Sequence, residues 1–142
     1  PRVVEFNVRF GDPECQPLMS LWKGDILPWL YGAATGALPP GEPEFADGVA
    51  CCVVLASAGY PASSTKGVAI PEPGPQEGVT TYLAGTRRDS DGVLRTNGGR
   101  VLGVTGLGST ARQARDLAYG AVEGWRFEGA QLRTDIAAQA LE

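Results

Sequence analysis

Between Val4 and Phe10 apolar and polar residues alternate without a fault, with Val4, Phe6, Val8 and Phe10 on one side and Glu5, Asn7 and Arg9 on the other. Period-2 alternation predicts a half-buried strand. The run Val49 to Ser57 is apolar throughout, rich in Val and bounded by turn residues, which predicts a buried strand. Val79 to Thr86 reads as a third strand, returning through an Asp91-Gly92 turn into Val93 to Thr96 as a hairpin, and Arg100 to Thr105 as a further strand. Helical spacing appears elsewhere. Pro17 can begin a helix carrying Leu18, Leu21 and Trp22 until Gly24 interrupts it. Asp25 can cap a second helix, with Pro28 in its first turn, a buried stripe of Leu27, Leu30, Tyr31 and Ala34, and Gly36 as its stop. Ala111 to Glu123 forms the clearest helix, its apolar face made of Ala111, Ala114, Leu117, Ala118, Ala121 and Val122, with Trp125 beyond. Asp135 can cap a terminal helix running through Ala140. The Pro39-Pro40-Gly41-Glu42-Pro43 run breaks regular structure and marks a boundary, and the prolines at 71, 73 and 75 make Ile70 to Gly78 a loop. Together these elements predict an α+β fold with a largely antiparallel sheet and flanking helices.

Composition narrows the class. With 142 residues, 43% hydrophobic and 20% charged, the chain suffices for one compact domain with a real core. A net charge of −4 without a basic cluster argues against nucleic acid or an anionic membrane as partner. The apolar runs fall short of the ~20 residues a membrane helix needs, and no signal-peptide pattern is present, so a cytoplasmic protein is expected. The three cysteines, Cys15 and the adjacent Cys51 and Cys52, fit neither a disulfide framework nor zinc-ligand spacing, and are read as reduced. Histidine is absent, which removes imidazole ligands, imidazole bases and Ser-His or Cys-His catalysis. Chemistry must then rest on carboxylates, cations and backbone donors, as phosphoryl transfer does.

The polar side of the first strand fits that chemistry. Positions i and i+2 of a strand lie roughly 6 to 7 Å apart on one face, so Glu5 and Asn7 present oxygens together. Hard cations such as Mg2+ accept such oxygens and complete their shell with water and phosphate. Arg9 adds a planar cation suited to phosphate or carboxylate. The same three residues also suit the wet side of an edge strand. Gly106-Leu107-Gly108-Ser109-Thr110-Ala111 matches the G-x-G-x-x-A dinucleotide fingerprint, with Glu128 as the downstream acid. Its alternative is a strand-to-helix turn with Thr110 as N-cap and Gln113 completing a capping box, which the lack of later parallel strands favours.

The motifs Val-Val-Glu-Phe-Asn-Val-Arg-Phe-Gly-Asp-Pro-Glu from Val3, Ala58-Gly59-Tyr60-Pro61, Lys66-Gly67, Ala84-Gly85-Thr86, Asn97-Gly98-Gly99-Arg100 through Thr105, and Arg133-Thr134-Asp135-Ile136 occur in this order. Together they resemble the C-terminal portion of the phosphoribosylamine-glycine ligase family. The resemblance implies that residues 1–40 are the end of an ATP-grasp domain and residues 41–142 a C-terminal domain. It implies a reaction in which ATP phosphorylates glycine and 5-phosphoribosylamine attacks, giving glycinamide ribonucleotide, ADP and phosphate in purine biosynthesis. Carried over by motif position, Glu5 and Asn7 hold Mg2+ or Mn2+ against ATP. Arg9 and Asp12 serve the catalytic centre, and Lys66 and Arg100 meet a substrate phosphate.

Two positions depart from the family pattern: Leu83 stands where a His is frequent, and Ser63-Ser64-Thr65 replaces a Gly-Asp-Tyr-like run. Cys15 stands in place of a Thr and is given no nucleophilic role. The upstream lysines, adenine-contacting strands and glycine-rich loop of an ATP-grasp enzyme are not in this sequence, so the chain alone is expected not to turn over. A fragment of a full ligase, a split-gene subunit and a binding-only remnant are the three explanations, the first favoured. The contrasting expectation is a small acidic binding or assembly module derived from the same family.

Overall fold

The computed structural model describes residues 2–141. Pro1 and Glu142 lie outside the described residues. Two helices come first, α1 (Cys15–Leu21) and α2 (Leu27–Thr35), then strands β1 (Val49–Ala56), β2 (Val79–Leu83), β3 (Thr86–Arg88), β4 (Leu94–Thr96) and β5 (Arg100–Gly108), and then α3 (Ala111–Val122). The main sheet has three strands in the order β1-β5-β2, and β3 and β4 make a separate two-stranded ribbon. Every pairing is antiparallel. The expected α+β class and antiparallel sheet are therefore what the chain forms. Among the described residues no helix is long and apolar enough to cross a membrane.

β5 is central because it can be buried on both faces and bonded along both edges. Cys52 pairs with Thr105 on one side, and Thr80 with Thr105 on the other. On one face, α3 lies against β5 through Gly106 and Gly108: a Cβ added at Gly106 would stand 2.2 Å from the Ala114 carbonyl oxygen, and one at Gly108 would stand 2.7 Å from the Ala114 nitrogen. Ala114, Ala118 and Val122, fully buried, close this interface over Val53, Leu55 and Val104. The small-residue stripe thus brings helix and sheet together at backbone distance. The other face carries α1, with Gln16 packed over Gly103 and the Ser20 hydroxyl 2.8 Å from that of Tyr82.

The N-terminus of α3 is capped as its sequence predicts, Thr110 Oγ1 accepting the Gln113 amide at 3.2 Å. Gln113 reaches back one residue further than a standard box, its Oε1 accepting the Ser109 amide at 2.9 Å. With Gly106 and Gly108 inside a strand and under a helix, the dinucleotide fingerprint has no loop in which to cradle phosphates.

Several expectations are corrected. The opening strand does not form: residues 2–10 contain neither strand nor helix, and Val4, Phe6 and Val8 are 95%, 84% and 96% exposed. A strand needs a neighbour's hydrogen bonds, and none of the described strands borders this segment. The stripe on α2 is not buried either, with Leu27 66% and Tyr31 73% exposed, although Pro28 sits in the first turn and Gly36, at φ 74°, ends the helix as expected. Asp25 Oδ1 accepts the Leu27 amide at 2.9 Å. The Val79 to Thr86 strand is two elements, β2 pairing with β5 and β3 pairing with β4 around the Asp91-Gly92 turn. The chain breaks between them because Gly85 crosses closely over Arg100 and Gly98. The terminal helix is a short 3-10 turn at Ala138–Leu141. Across the Pro-rich run, Trp22 bridges Phe45 and the two rings meet edge to face at 5.3 Å.

Candidate functional site

Arg100, the first residue of β5, stands where three stretches of chain meet. Its Nε donates to the Tyr60 hydroxyl at 2.8 Å, and its guanidinium lies 5.9 Å from the Tyr60 ring centroid. Its Nη1 donates to the Asp12 carbonyl oxygen and lies 3.1 Å from Asp12 Oδ2. Asp12 precedes α1 and also accepts from Gln16 Nε2 at 2.9 Å. Tyr60 is held by close approach: a Cβ at Gly99 would stand 2.5 Å from its ring, so the ring packs directly against glycine backbone. The Tyr60 hydroxyl, followed by the Asp12 carboxylate, raises the pKa of Arg100.

Beside this cluster opens a pocket of about 420 Å³, whose lining includes Pro13, Cys52, Tyr60, Arg100, Gln131 and Arg133. Gln131 lies at the β1 edge, exchanging two backbone hydrogen bonds with Ala56 at 2.7 and 2.8 Å. Arg133 forks onto Asp135 at 2.9 and 2.7 Å. Cys52 is not poised as a thiolate in this setting, because burial pushes its thiol pKa up. Cys51 is likewise buried and raised, and all three cysteines are free, as their spacing predicts.

Glu5 and Asn7 meet, Asn7 Nδ2 donating to Glu5 Oε1 at 2.9 Å in an exposed segment. Asn7 turns an N–H, not its carbonyl oxygen, toward Glu5 in this contact. Among the described residues no group of three or more His, Cys, Asp or Glu side chains is gathered. Arg9 Nη1 donates to the neighbouring Phe10 carbonyl at 3.1 Å. Lys66 is exposed, has no carboxylate partner among the described ion pairs, and lies outside the lining of the Arg100 pocket.

The structure thus joins Glu5 to Asn7 and Asp12 to Arg100, and leaves Arg9 and Lys66 apart from both pairs. Sequence reasoning had assigned no role to Tyr60 or Arg133, which line the same pocket as Arg100. Their signal was present in two of the ordered motifs.

Residues 50–139 match the family described as "Phosphoribosylglycinamide synthetase, C domain". The chain is 47% identical to the phosphoribosylamine–glycine ligase of Phenylobacterium zucineum, a match that covers 99% of this chain and 34% of that protein. It is 43% identical to the chloroplastic phosphoribosylamine–glycine ligase of Arabidopsis thaliana, over 99% of this chain and 27% of that protein. A crystal structure of phosphoribosylamine–glycine ligase from Thermotoga maritima superposes with a TM-score of 0.79 at 40% identity, over 96% of this chain and 34% of that one. The chain spans roughly a third of the length of these relatives.

Proposed function

Because this chain belongs to the phosphoribosylglycinamide synthetase C-domain family, we propose that it is the C-terminal part of an ATP-dependent ligase that joins glycine to 5-phosphoribosylamine, yielding glycinamide ribonucleotide, ADP and phosphate in cytosolic purine synthesis. The observation that carries this reading is near-full coverage of this chain, at 47% identity, by one end-to-end match to such a ligase. In this reading residues 1–40 complete an ATP-grasp domain whose other parts come from upstream polypeptide, and residues 41–142 form the domain against which it closes.

Glu5 and Asn7 are the residues that would hold Mg2+ or Mn2+, which when bound would offset the negative charge on the ATP phosphates. What supports this is that the two side chains meet in an exposed segment, Asn7 Nδ2 lying 2.9 Å from Glu5 Oε1. Arg9 would bring a fixed cation to a carboxylate or phosphate on the same segment. Asp12 would position that segment against the domain, Lys66 would supply positive charge to the substrate phosphate, and Arg100 would hold Asp12 at the rim of the pocket. Arg100 already borders a pocket large enough for part of a ribose phosphate, which supports its place in this set.

The test is a chimera in which this chain replaces the C-terminal third of the Phenylobacterium ligase. We expect glycine- and phosphoribosylamine-dependent release of ADP from the chimera, and none from this chain alone. A folded chimera that binds ATP yet forms no glycinamide ribonucleotide would overturn the reading.

A further inference from the structure

We propose that Arg100 is a positioning residue, a clamp that fastens the turn at Asp12 to the sheet and so fixes where the segment bearing Glu5, Asn7 and Arg9 leaves the domain. That the clamp serves ligase chemistry rests on the proposed function above; the clamp itself rests on geometry alone.

Three observations carry it. The side-chain hydrogen bonds of the N-terminal segment, Asn7 to Glu5 and Arg9 to Phe10, stay within the segment, so its own polar groups do not set its direction. Its first side-chain ties to the sheet are those of Asp12, whose carbonyl and carboxylate oxygens both meet Arg100 Nη1. Finally, Arg100 cannot swing freely, since Nε is bonded to Tyr60 and the Tyr60 ring is seated on Gly99. A planar guanidinium with donors on different edges can hold Tyr60 and Asp12 at once, whereas a lysine ammonium on a flexible stem cannot reproduce that fork. The chain runs directly on from Asp12 into Pro13 and α1, whose Cys15 amide is bonded to the Gly11 carbonyl at 3.0 Å. Arg100 therefore braces the corner from which the Glu5–Asn7 pair projects.

This differs from a substrate-phosphate role in what a lysine would do. Lysine binds phosphate as a point charge, so Arg100→Lys would preserve much of a phosphate contact and lose the clamp.

The first arm uses this chain itself and reads amide hydrogen exchange. We expect Arg100→Lys to speed exchange at the Cys15 and Leu18 amides by about tenfold, and Tyr60→Phe, which removes one acceptor, by about threefold. Strand β5 should stay protected at its unmodified rate, which reports that the fold survives. Unchanged exchange at the Cys15 and Leu18 amides in both variants would overturn the clamp. The second arm uses the chimera. Tyr60→Phe and Arg100→Lys should lower kcat and raise the Mg2+ concentration needed for half-maximal rate by several-fold, with the KM for phosphoribosylamine within about twofold of the unmodified chimera. A rise confined to the phosphoribosylamine KM would overturn the positioning role in favour of a substrate contact. An inactive unmodified chimera would sink the ligase reading while leaving the exchange result to decide the clamp.

Discussion

Gly106 and Gly120 have opposite surroundings although they lie on packed partners. A Cβ at Gly106 would stand 2.2 Å from the Ala114 carbonyl and 2.6 Å from the Ala118 amide, and these are backbone atoms that cannot rotate away. Gly120, within α3, has nothing within 4 Å of its missing Cβ. We therefore expect Gly106→Ala to destabilise by at least ~1–3 kcal/mol through overpacking, and Gly120→Ala to stabilise by ~0.5–1 kcal/mol through helix propensity. Urea unfolding of both variants checks the pair, and equal effects of the same sign would contradict the packing described. The sequence reading placed Gly106 and Gly108 in a turn and weighed a phosphate-binding fingerprint. Glycine spacing records where backbone comes close, but the approaching group can be a phosphate or another helix. Here the alanine stripe of α3, legible in the same sequence, identified the approaching group as a helix.

Among the elements, the β3–β4 ribbon is anchored by Leu94 and Thr96, which are buried, and carries exposed ion pairs along its outer side. Arg88 forks onto Glu72 at 2.8 and 2.6 Å, and Asp91 accepts the Val93 amide at 2.9 Å while also meeting Arg95 at 2.9 Å. Hydrogen bonding from Arg88 lowers the Glu72 pKa, and the Val93 amide followed by Arg95 lowers that of Asp91. A carboxylate with a folded pKa below its unfolded one stabilises fully above the unfolded value and loses that contribution as pH falls through the folded value. The ribbon should thus hold at neutral pH and loosen as pH drops below the ordinary carboxylate range of about 4. The protection factors of the Val93 and Arg95 amides, which compare observed with intrinsic exchange, should fall as pH is lowered from 6, and Asp91→Asn should flatten that dependence. The ribbon was misread from sequence because alternation identifies a strand without naming its partner. Val79 to Thr86 looks continuous, and only the close crossing of Gly85 over Gly98 and Arg100 divides it. By contrast, β1 was legible to within one residue, since a long apolar run between turn residues leaves few alternatives, and β5 was legible as far as Thr105. The faultless pattern from Val4 to Phe10 failed for a different reason: its periodicity is intact, and the neighbour that would make it a strand is not among the described elements.

For the whole molecule, that unpaired pattern has a measurable effect. Val3, Val4, Phe6 and Val8 are exposed in a row on one short segment, a surface able to pair with a second copy of itself. Light scattering across a concentration series should show mass rising above that of a monomer, and replacing Phe6 and Val8 with Ser should restore the monomer. A constant monomeric mass for the unmodified chain would refute this. The candidate site was legible to an uneven degree. Asp12 and Arg100 were both singled out and do meet, though they are far apart in sequence, whereas the Tyr60 that joins them was visible only as part of a motif.

The strand at the middle of the main sheet is also the last of its strands in chain order. During synthesis β1 and β2 emerge with no neighbour between them, and neither can be zipped into the sheet until Gly108 has cleared the ribosome. Folding of the domain is therefore a late event, in which one incoming segment inserts between two waiting edges and completes both seams together.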